Sequence, residues 1–407
     1  MRMNKINLLV IGLLIVTNLF AVRVGNKNVA NAIRINVTPS DNSIYITGFT
    51  KASGKSSILT ASYLPSNGSL NPGFGAGGIV VVTDFVGDSV ANDLTINTND
   101  EKILIGGYVV DTDSRTKFVI LQYDTSGVLE DNSPLTLVGD SSVINALTFQ
   151  PSNNRIIAAG TAIVSGKPVI IIALYGSLDV SPLITVTEAG NRAEARGVTL
   201  QSDGKIVVAG LVANPRETIA LTRYDSDGDL DPSFGASGIA IIPTARRSYA
   251  TDVRIQDDGK IVISGAFGKQ FLLARFNTNG SLDLSFGDGG FAIGLPGLEG
   301  RFNSLIIQSD NKIVAAGFAT TNESIFARFN TDGSLDPSFG DGGVVVIPGP
   351  RTAVANDVTL QSDSKALGAG FICNDAALYR MLVNGTLDPS FGGDGIVRNP
   401  TGAPCPV

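Results

Sequence analysis

Short apolar runs recur along the chain, each bounded by turn-forming residues. The clearest read LQSDGKIVVAG from Leu200, IQDDGKIVISG from Ile255, IQSDNKIVAAG from Ile307 and LQSDSKALGAG from Leu360. Looser copies begin at Val37 (VTPSDNSIYITG), Ile96 (INTNDEKILIGG) and Phe149 (FQPSNNRIIAAG). A β-branched run entered through Ser-Asp-Gly is a strand reached by a tight hairpin, with the glycine free to take positive φ. The runs start at Ile44, Ile103, Ile156, Ile206, Ile261, Ile313 and Ala366, a spacing of 50 to 59 residues. That period is too long for leucine-rich or ankyrin-like units and close to that of propeller blades.

A second phrase follows each apolar run. It reads FNTDGSLDPSFGDGGVVV from Phe329, with close copies from Phe276, Tyr224, Met381 and Tyr63 and weaker ones from Tyr123 and Leu174. Together the phrases parse each unit into four short strands. In the fourth unit these are Arg196–Leu200, Lys205–Gly210, Ile219–Tyr224 and Gly238–Ile242. Four antiparallel strands per unit, repeated seven times without helical periodicity, predict an all-β fold: a seven-bladed β-propeller of four-stranded antiparallel blades. Radial repetition also disposes of the edge problem that so many strands would meet in an open sheet. A β-solenoid has shorter coils and no use for alternating hairpin signals. Strand counting leaves all four strands of the first and last blades within contiguous sequence, which allows closure without strand exchange but leaves the mode of closure open.

The recurring side chains have structural readings. Phe74, Phe234, Phe286, Phe339 and Phe391, each beside glycine, would fill the wedge between neighbouring blades. Arg223, Arg275, Arg328 and Arg380 end the third strands and would pair with Asp231, Asp283, Asp336 and Asp388. A residue repeated in four blades is a poor candidate for catalysis. The run Asp225–Asp231 (DSDGDLD) has glycine fourth and no closing glutamate, so it reads as a turn rather than a calcium loop.

The phrases DGKIVVAG and ARFNTDGSLDPSFG resemble the delta-60 repeat of bacterial exported and surface proteins. The resemblance spans Ala32–Asn399 and is closest in units four to seven; the SFG phrase is missing after Leu129 and Leu178. It implies a propeller with no assigned general activity. The phasing also resembles that of NHL-type propellers, each unit running from its innermost strand outwards.

Composition narrows function mainly by exclusion. The chain has no His, which removes Ser-His-Asp and Cys-His hydrolysis and His-ligated zinc. Its formal net charge of −7 and the lack of a basic stripe argue against nucleic acid and anionic membranes as partners. No cofactor and no metal is expected, and the protein is expected to be a monomer. At the N-terminus, a positively charged Met1–Lys5 precedes the apolar run Ile6–Phe20 of 15 residues. This reads as a secretory signal, the best cleavage motif being Ala30-Asn31-Ala32, with Ala21 the alternative and an uncleaved anchor the other reading. The expected organisation is a signal segment over 1–32, one propeller over 33–399 and a tail over 400–407, in a secreted, periplasmic or cell-surface protein. In such a compartment Cys373 and Cys405 are candidates for a disulfide clipping the tail to the last blade, two free thiols being the other option.

Loops between blades, and those between second and third strands, would open on one face. Arg192, Arg196, Arg246, Arg247, Arg301 and Arg351, with Tyr249, fall there. Guanidinium groups grip carboxylate, sulfate or phosphate, and Tyr249 would stack on a sugar or another ring, making an anionic-ligand site. The alternative is six solvated arginines partly neutralised by Glu194 and Glu299. Nearer the axis, Asp93, Asn145, Asp252, Asn303 and Asp357 begin the first strands and would either ring the channel mouth, holding a cation or water, or satisfy crowded backbone donors. The function expected is a non-catalytic exported scaffold for an anionic glycan, cell-wall polymer or protein. The alternative is a carboxylate-dependent glycoside hydrolase or lyase, against which stand the lack of Trp platforms and of any acidic pair outside the repeat pattern. A purely structural module is the third class.

Overall fold

The computed structural model describes residues 27–35 and 399 as backbone, and 42–52 and 54–398 in full. Seven four-stranded antiparallel sheets follow one another along the chain, each built from consecutive strands. The innermost strands are Lys27–Ile35, Ser89–Asn97, Ser141–Gln150, Arg192–Leu200, Ser248–Ile255, Gly300–Ile307 and Ala353–Leu360. Each packs against the innermost strand of the next blade, and the last packs against the first, so they ring a common axis. This is the seven-bladed propeller that the repeat predicts, and the structure shows it closed without strand exchange. Blade four adds Ile206–Ala213, Glu217–Tyr224 and Ile239–Ile242 outside its innermost strand.

Between adjacent blades the apolar faces make the core. The third strands end in a large residue that is fully enclosed, such as Tyr63, Tyr123, Tyr175, Tyr224 or Phe276. The cluster joining blades seven and one includes Ile44, Leu59, Leu367, Leu378 and Phe391. Phe74, Phe234, Phe286 and Phe391 are completely buried and Phe339 nearly so. Each lies against a turn glycine of the following blade: Phe234 against Gly280, Phe286 against Gly333, Phe339 against Gly385, Phe391 against Gly68 and Phe74 against Gly127. A Cβ at Gly280 would come 2.8 Å from the Phe234 ring, so the phenylalanine and the glycine of the repeat are one contact seen from two blades.

The repeated arginine, aspartate and lysine form a second joint. Arg328 stacks on Phe339, 4.8 Å from its centroid, and its Nε donates to Asp336 Oδ2 at 2.7 Å. Its Nη1 crosses to the Val383 carbonyl of blade seven at 2.5 Å, while Lys312 reaches the same carboxylate at 2.8 Å. The set recurs with Arg223, Arg275 and Arg380. Arg380 carries it across the closure, donating to the Pro65 and Ser66 carbonyls of blade one. Pairing of these arginines with the aspartates is therefore structural.

Some boundaries differ from those read off the sequence. The innermost strand of blade four begins four residues earlier, at Arg192, so Arg192 and Glu194 are strand residues rather than loop residues. The motif Ala30-Asn31-Ala32 lies inside the innermost strand of blade one, which pairs from Lys27 opposite Lys51 to Ile35 opposite Ile44. Its sequence VANAIRI is blade one's version of VANDLTI from Val90 and VANDVTL from Val354. A boundary at residue 33 would cut that strand. Most of the expected signal segment, and the tail 400–407 with Cys405, lie outside the described residues. Cys373 is disulfide-bonded.

Candidate functional site

Every innermost strand that the pairing resolves carries a bulge near its start. The register shifts between Ala30 and Ala32, Ala91 and Asp93, Ala195 and Gly197, Ala250 and Asp252, Phe302 and Ser304, and Ala355 and Asp357. The extra residue is therefore Asn31, Asn92, Arg196, Thr251, Asn303 and Asn356 in turn. Two positions earlier, the strand's carbonyl presses on the glycine that ends the VVAG phrase. A Cβ at Gly107, Gly160, Gly210, Gly265, Gly317 or Gly370 would stand 1.8–2.0 Å from the oxygen of Val90, Val143, Glu194, Tyr249, Arg301 or Val354. Only glycine fits under that carbonyl, which explains why the phrase keeps it. The contact also fixes which residues are equivalent, and places Asn145 at the bulge position of blade three.

The bulge residues latch blade to blade. Asn92 donates to the Ile144 carbonyl at 2.8 Å, Asn145 to Ala195 at 2.7 Å, Thr251 to Phe302 at 2.9 Å and Asn303 to Ala355 at 2.9 Å. The residue after the bulge works alongside. Asp93 accepts the Leu94 and Leu147 amides, each at 2.8 Å. Asp252 accepts the Val253 and Leu305 amides, Asp357 accepts the Val358 amide, and the one Ser304 hydroxyl proton lies between the two carboxylates. The five polar residues expected at the channel mouth are thus two rows, not one ring. Asn145 and Asn303 are bulge residues; Asp93, Asp252 and Asp357 follow the bulge. Both rows bind neighbouring backbone, as buried polar groups require. No group of three or more acidic or cysteine ligands is gathered among the described residues.

Blades four to six break this pattern in one place. At the position two before the bulge, blades two, three and seven carry Val90, Val143 and Val354, and blade one carries Val29 in the same register. Blades four, five and six carry Glu194, Tyr249 and Arg301. At the bulge itself Arg196 stands where most other blades have asparagine. Gly197 follows it, and a Cβ there would meet Asp252 Cα at 2.9 Å, so blades four and five approach closely where the asparagine latch is missing.

The substituted residues touch one another. Arg196 covers the Tyr249 ring, 4.5 Å from its centroid, and donates to Glu194 Oε2 at 3.1 Å. Arg192 Nε donates to Glu194 Oε1 at 2.7 Å, and its Nη1 to Glu217 Oε1 at 3.1 Å. Arg247 Nη2 donates to Glu217 Oε1 at 2.9 Å, and its guanidinium lies 5.9 Å from the Tyr249 centroid. Arg301 Nη1 approaches the Tyr249 hydroxyl at 3.3 Å, and its Nε donates to Asn303 Oδ1 at 3.1 Å. Burial disfavours the Glu194 carboxylate, but hydrogen bonds and charge from Arg192 and Arg196 outweigh it and hold the group below the usual range. Three arginines thus hold two carboxylates, and a fourth, Arg301, joins them through Tyr249.

Of the residues expected on this face, Arg192, Arg196, Arg247, Arg301 and Tyr249 come together. Arg246 does not join them: it lies 5.9 Å from the Phe267 ring centroid, over the next hairpin of its own blade. Arg351 is exposed in the loop before blade seven, and no contact among the described residues joins it to the cluster. Glu299, expected to neutralise the arginines, faces Lys269 at 3.8 Å instead. The neutralising partner that sequence reasoning missed is Glu217. It opens the third strand of blade four, across from Ala213; the Asn-Pro-Arg turn before it was the available signal.

The chain is a repeat β-propeller. Its sequence matches the family described as "Domain of unknown function (DUF5122) beta-propeller" over residues 201–234, 256–286 and 308–339, segments within blades four to six that leave most of the chain unmatched. No curated protein matches it in sequence. Among solved structures it is similar to Sqt1 from Chaetomium thermophilum, at 15% identity and a TM-score of 0.50, covering 90% of this chain and 85% of that one. A streptogramin B lyase gives 15% identity and 0.54, covering 87% and 94%. A puromycin hydrolase gives 12% identity and 0.54, with 88% of this chain spanning 53% of that one. At such identities the likeness is one of fold alone.

Proposed function

We propose that this protein is an exported, non-catalytic propeller that holds an anionic partner on the face where its inter-blade loops open. The observation that carries the reading is local. Glu194, Arg196, Tyr249 and Arg301 replace the valine and asparagine of other blades and converge with Arg192 and Arg247. A repeat protein has no folding reason to exchange an apolar row and a satisfied latch for two arginines, a glutamate and a tyrosine in adjacent blades, whereas binding needs such a break in symmetry. The cluster's excess of two positive charges over Glu194 and Glu217, on a chain of net charge −7, favours an anionic ligand. The resemblance to delta-60 repeats of exported proteins and the N-terminal charged-then-apolar segment support export. The absence of His from the sequence supports a non-catalytic role, as does a Glu194 held ionised by two arginines and so unsuited to general acid chemistry.

The test is binding of the protein to immobilised polyglutamate, polygalacturonate and neutral dextran at low and high salt. The expected result is retention on an acidic polymer only, weakened by salt and lost in an Arg196→Glu/Arg247→Glu variant that keeps its fold by circular dichroism. Equal retention on dextran, or retention that survives the variant, would overturn it.

A further inference from the structure

Within the cluster the arginines are not equivalent. Arg192, Arg196 and Arg247 are already held by Glu194 and Glu217. Arg301 has no carboxylate partner among the described residues; it meets only neutral groups, the Tyr249 hydroxyl and Asn303 Oδ1, and lies 5.0 Å over Phe318. A guanidinium fork with donors left over is the strongest single anchor for one carboxylate. Both rings beside Arg301 carry a guanidinium: Arg196 covers Tyr249 and Arg301 itself lies over Phe318.

We infer that the ligand is an acidic peptide segment of a protein partner, one of whose glutamate or aspartate side chains seats on Arg301 between Tyr249 and Asn303. The inference rests on the anionic-partner reading above and narrows it. A sugar ring needs a free stacking face, and each ring here is already stacked by an arginine. A sulfated or phosphorylated polymer needs several uncommitted cations, and the cluster has one. A slim methylene arm ending in a single carboxylate needs neither. The cluster already holds carboxylates of that kind, since its other arginines bind the glutamate side chains of the chain itself.

Fluorescence anisotropy with an acetylated, amidated peptide of alternating Ala and Glu, set beside its Ala-Gln counterpart and an oligogalacturonate, tests this. The Glu peptide should bind at least about 10-fold more tightly than the Gln peptide, and Arg301→Gln should remove about 10-fold or more of that affinity. Tyr249→Phe, which deletes only the hydroxyl beside Arg301, should weaken binding less and guards against a fold effect of the arginine change. Arg351→Gln, outside the cluster, should leave binding unchanged. Glu-peptide binding indifferent to Arg301→Gln would overturn this inference while leaving the anionic-partner reading intact. So would Arg301-dependent binding confined to the oligogalacturonate. Equal binding of the Gln peptide, or failure of every acidic probe to bind, would overturn both.

Discussion

Blades four to seven and blades one to three close the same ring with different joints. In the first group an arginine stacks on the wedge phenylalanine, pairs with an aspartate and crosses to the next blade, with a lysine completing the set. Blade one keeps the wedge, Phe74, but replaces the ionic set by neutral groups: Asn71 donates to Ser43 and Ser62 at 3.1 and 3.3 Å. Blades two and three have neither the wedge phenylalanine nor the arginine, though blade two keeps a lysine–carboxylate pair, Lys102 with Glu130. Blade three instead sets Leu174 against Gly228 and uses Thr185 and Thr187 to bond Gly228 and Tyr224 of blade four. A blade therefore needs a filled wedge and satisfied polar groups at its edge, and more than one set of side chains supplies them. That is why the sequence repeat fades in units where the fold does not.

The largest effect is expected at the seam where the weakly repeated half meets the strongly repeated one. A chain beginning at Ile33 lacks the Lys27–Ala32 stretch that pairs with Lys51–Thr47 of blade one. At roughly 1 kcal/mol per ladder hydrogen bond, losing most of that edge costs on the order of 4 kcal/mol or more and opens the ring. Thermal unfolding of a chain from Val22 should be cooperative, and that of a chain from Ile33 broadened and shifted down. Intact-mass analysis of exported protein should accordingly find an N-terminus before Lys27. A mature chain starting at Ile33 with full stability would break the equivalence drawn between VANAIRI and the later VAN strands.

Much of this was legible in advance and some was not, for physical reasons. Period, blade count, wedge phenylalanines and Arg–Asp pairs each rest on side chains that recur because the same contact recurs. The bulge was invisible, because one extra residue leaves no compositional mark. It is why Asp93 and Asn145, one position apart in register, read as members of one ring. It is also why Arg192 and Glu194 read as loop: charged residues at a strand's start look like a turn until the strand is seen to lie at the ring's mouth. Glu217 escaped because its partners, Arg192 and Arg247, lie 25 and 30 residues away. The choice of Arg247 over Arg246 depends on which neighbour points back to blade four.

A smaller but sharper contrast sets the two kinds of joint against each other. Asp336→Ala would leave Arg328, 5% exposed, without its carboxylate, at a cost of about 3–5 kcal/mol. Asn71→Ala, at the equivalent neutral joint of blade one, removes ordinary hydrogen bonds and should cost about 1 kcal/mol. Denaturant titration of both variants reads the difference directly. Equal losses would mean that the ionic joint contributes no more than the neutral one.

The last expected effect separates the joints by pH. Burial works against ionisation of Asp388, yet hydrogen bonds from the Ser390 hydroxyl and amide and from Lys365, with the charge of Arg380, lower its pKa to about 2. Asp283 and Asp336 are likewise lowered against burial, and Asp231 is lowered first by the Ser233 hydroxyl. A carboxyl of about 3.9 in the unfolded chain and about 2 in the fold contributes stability that is fully present above pH 4. That contribution is lost as pH falls toward 2, because the unfolded state takes up the proton first. Each such group adds at most about 1.4 kcal/mol per pH unit to the slope in that window. Asp388→Asn should therefore lower stability at neutral pH but flatten the acid slope by about one proton, whereas Asn71→Ala should leave the slope untouched. Hydrogen exchange followed blade by blade at about pH 3 should show the junctions of blades four to seven loosening before the uncharged junction of blades one and two. The opposite order would place the acid-sensitive groups outside the Arg–Asp joints and dissolve the distinction between the two halves of the ring.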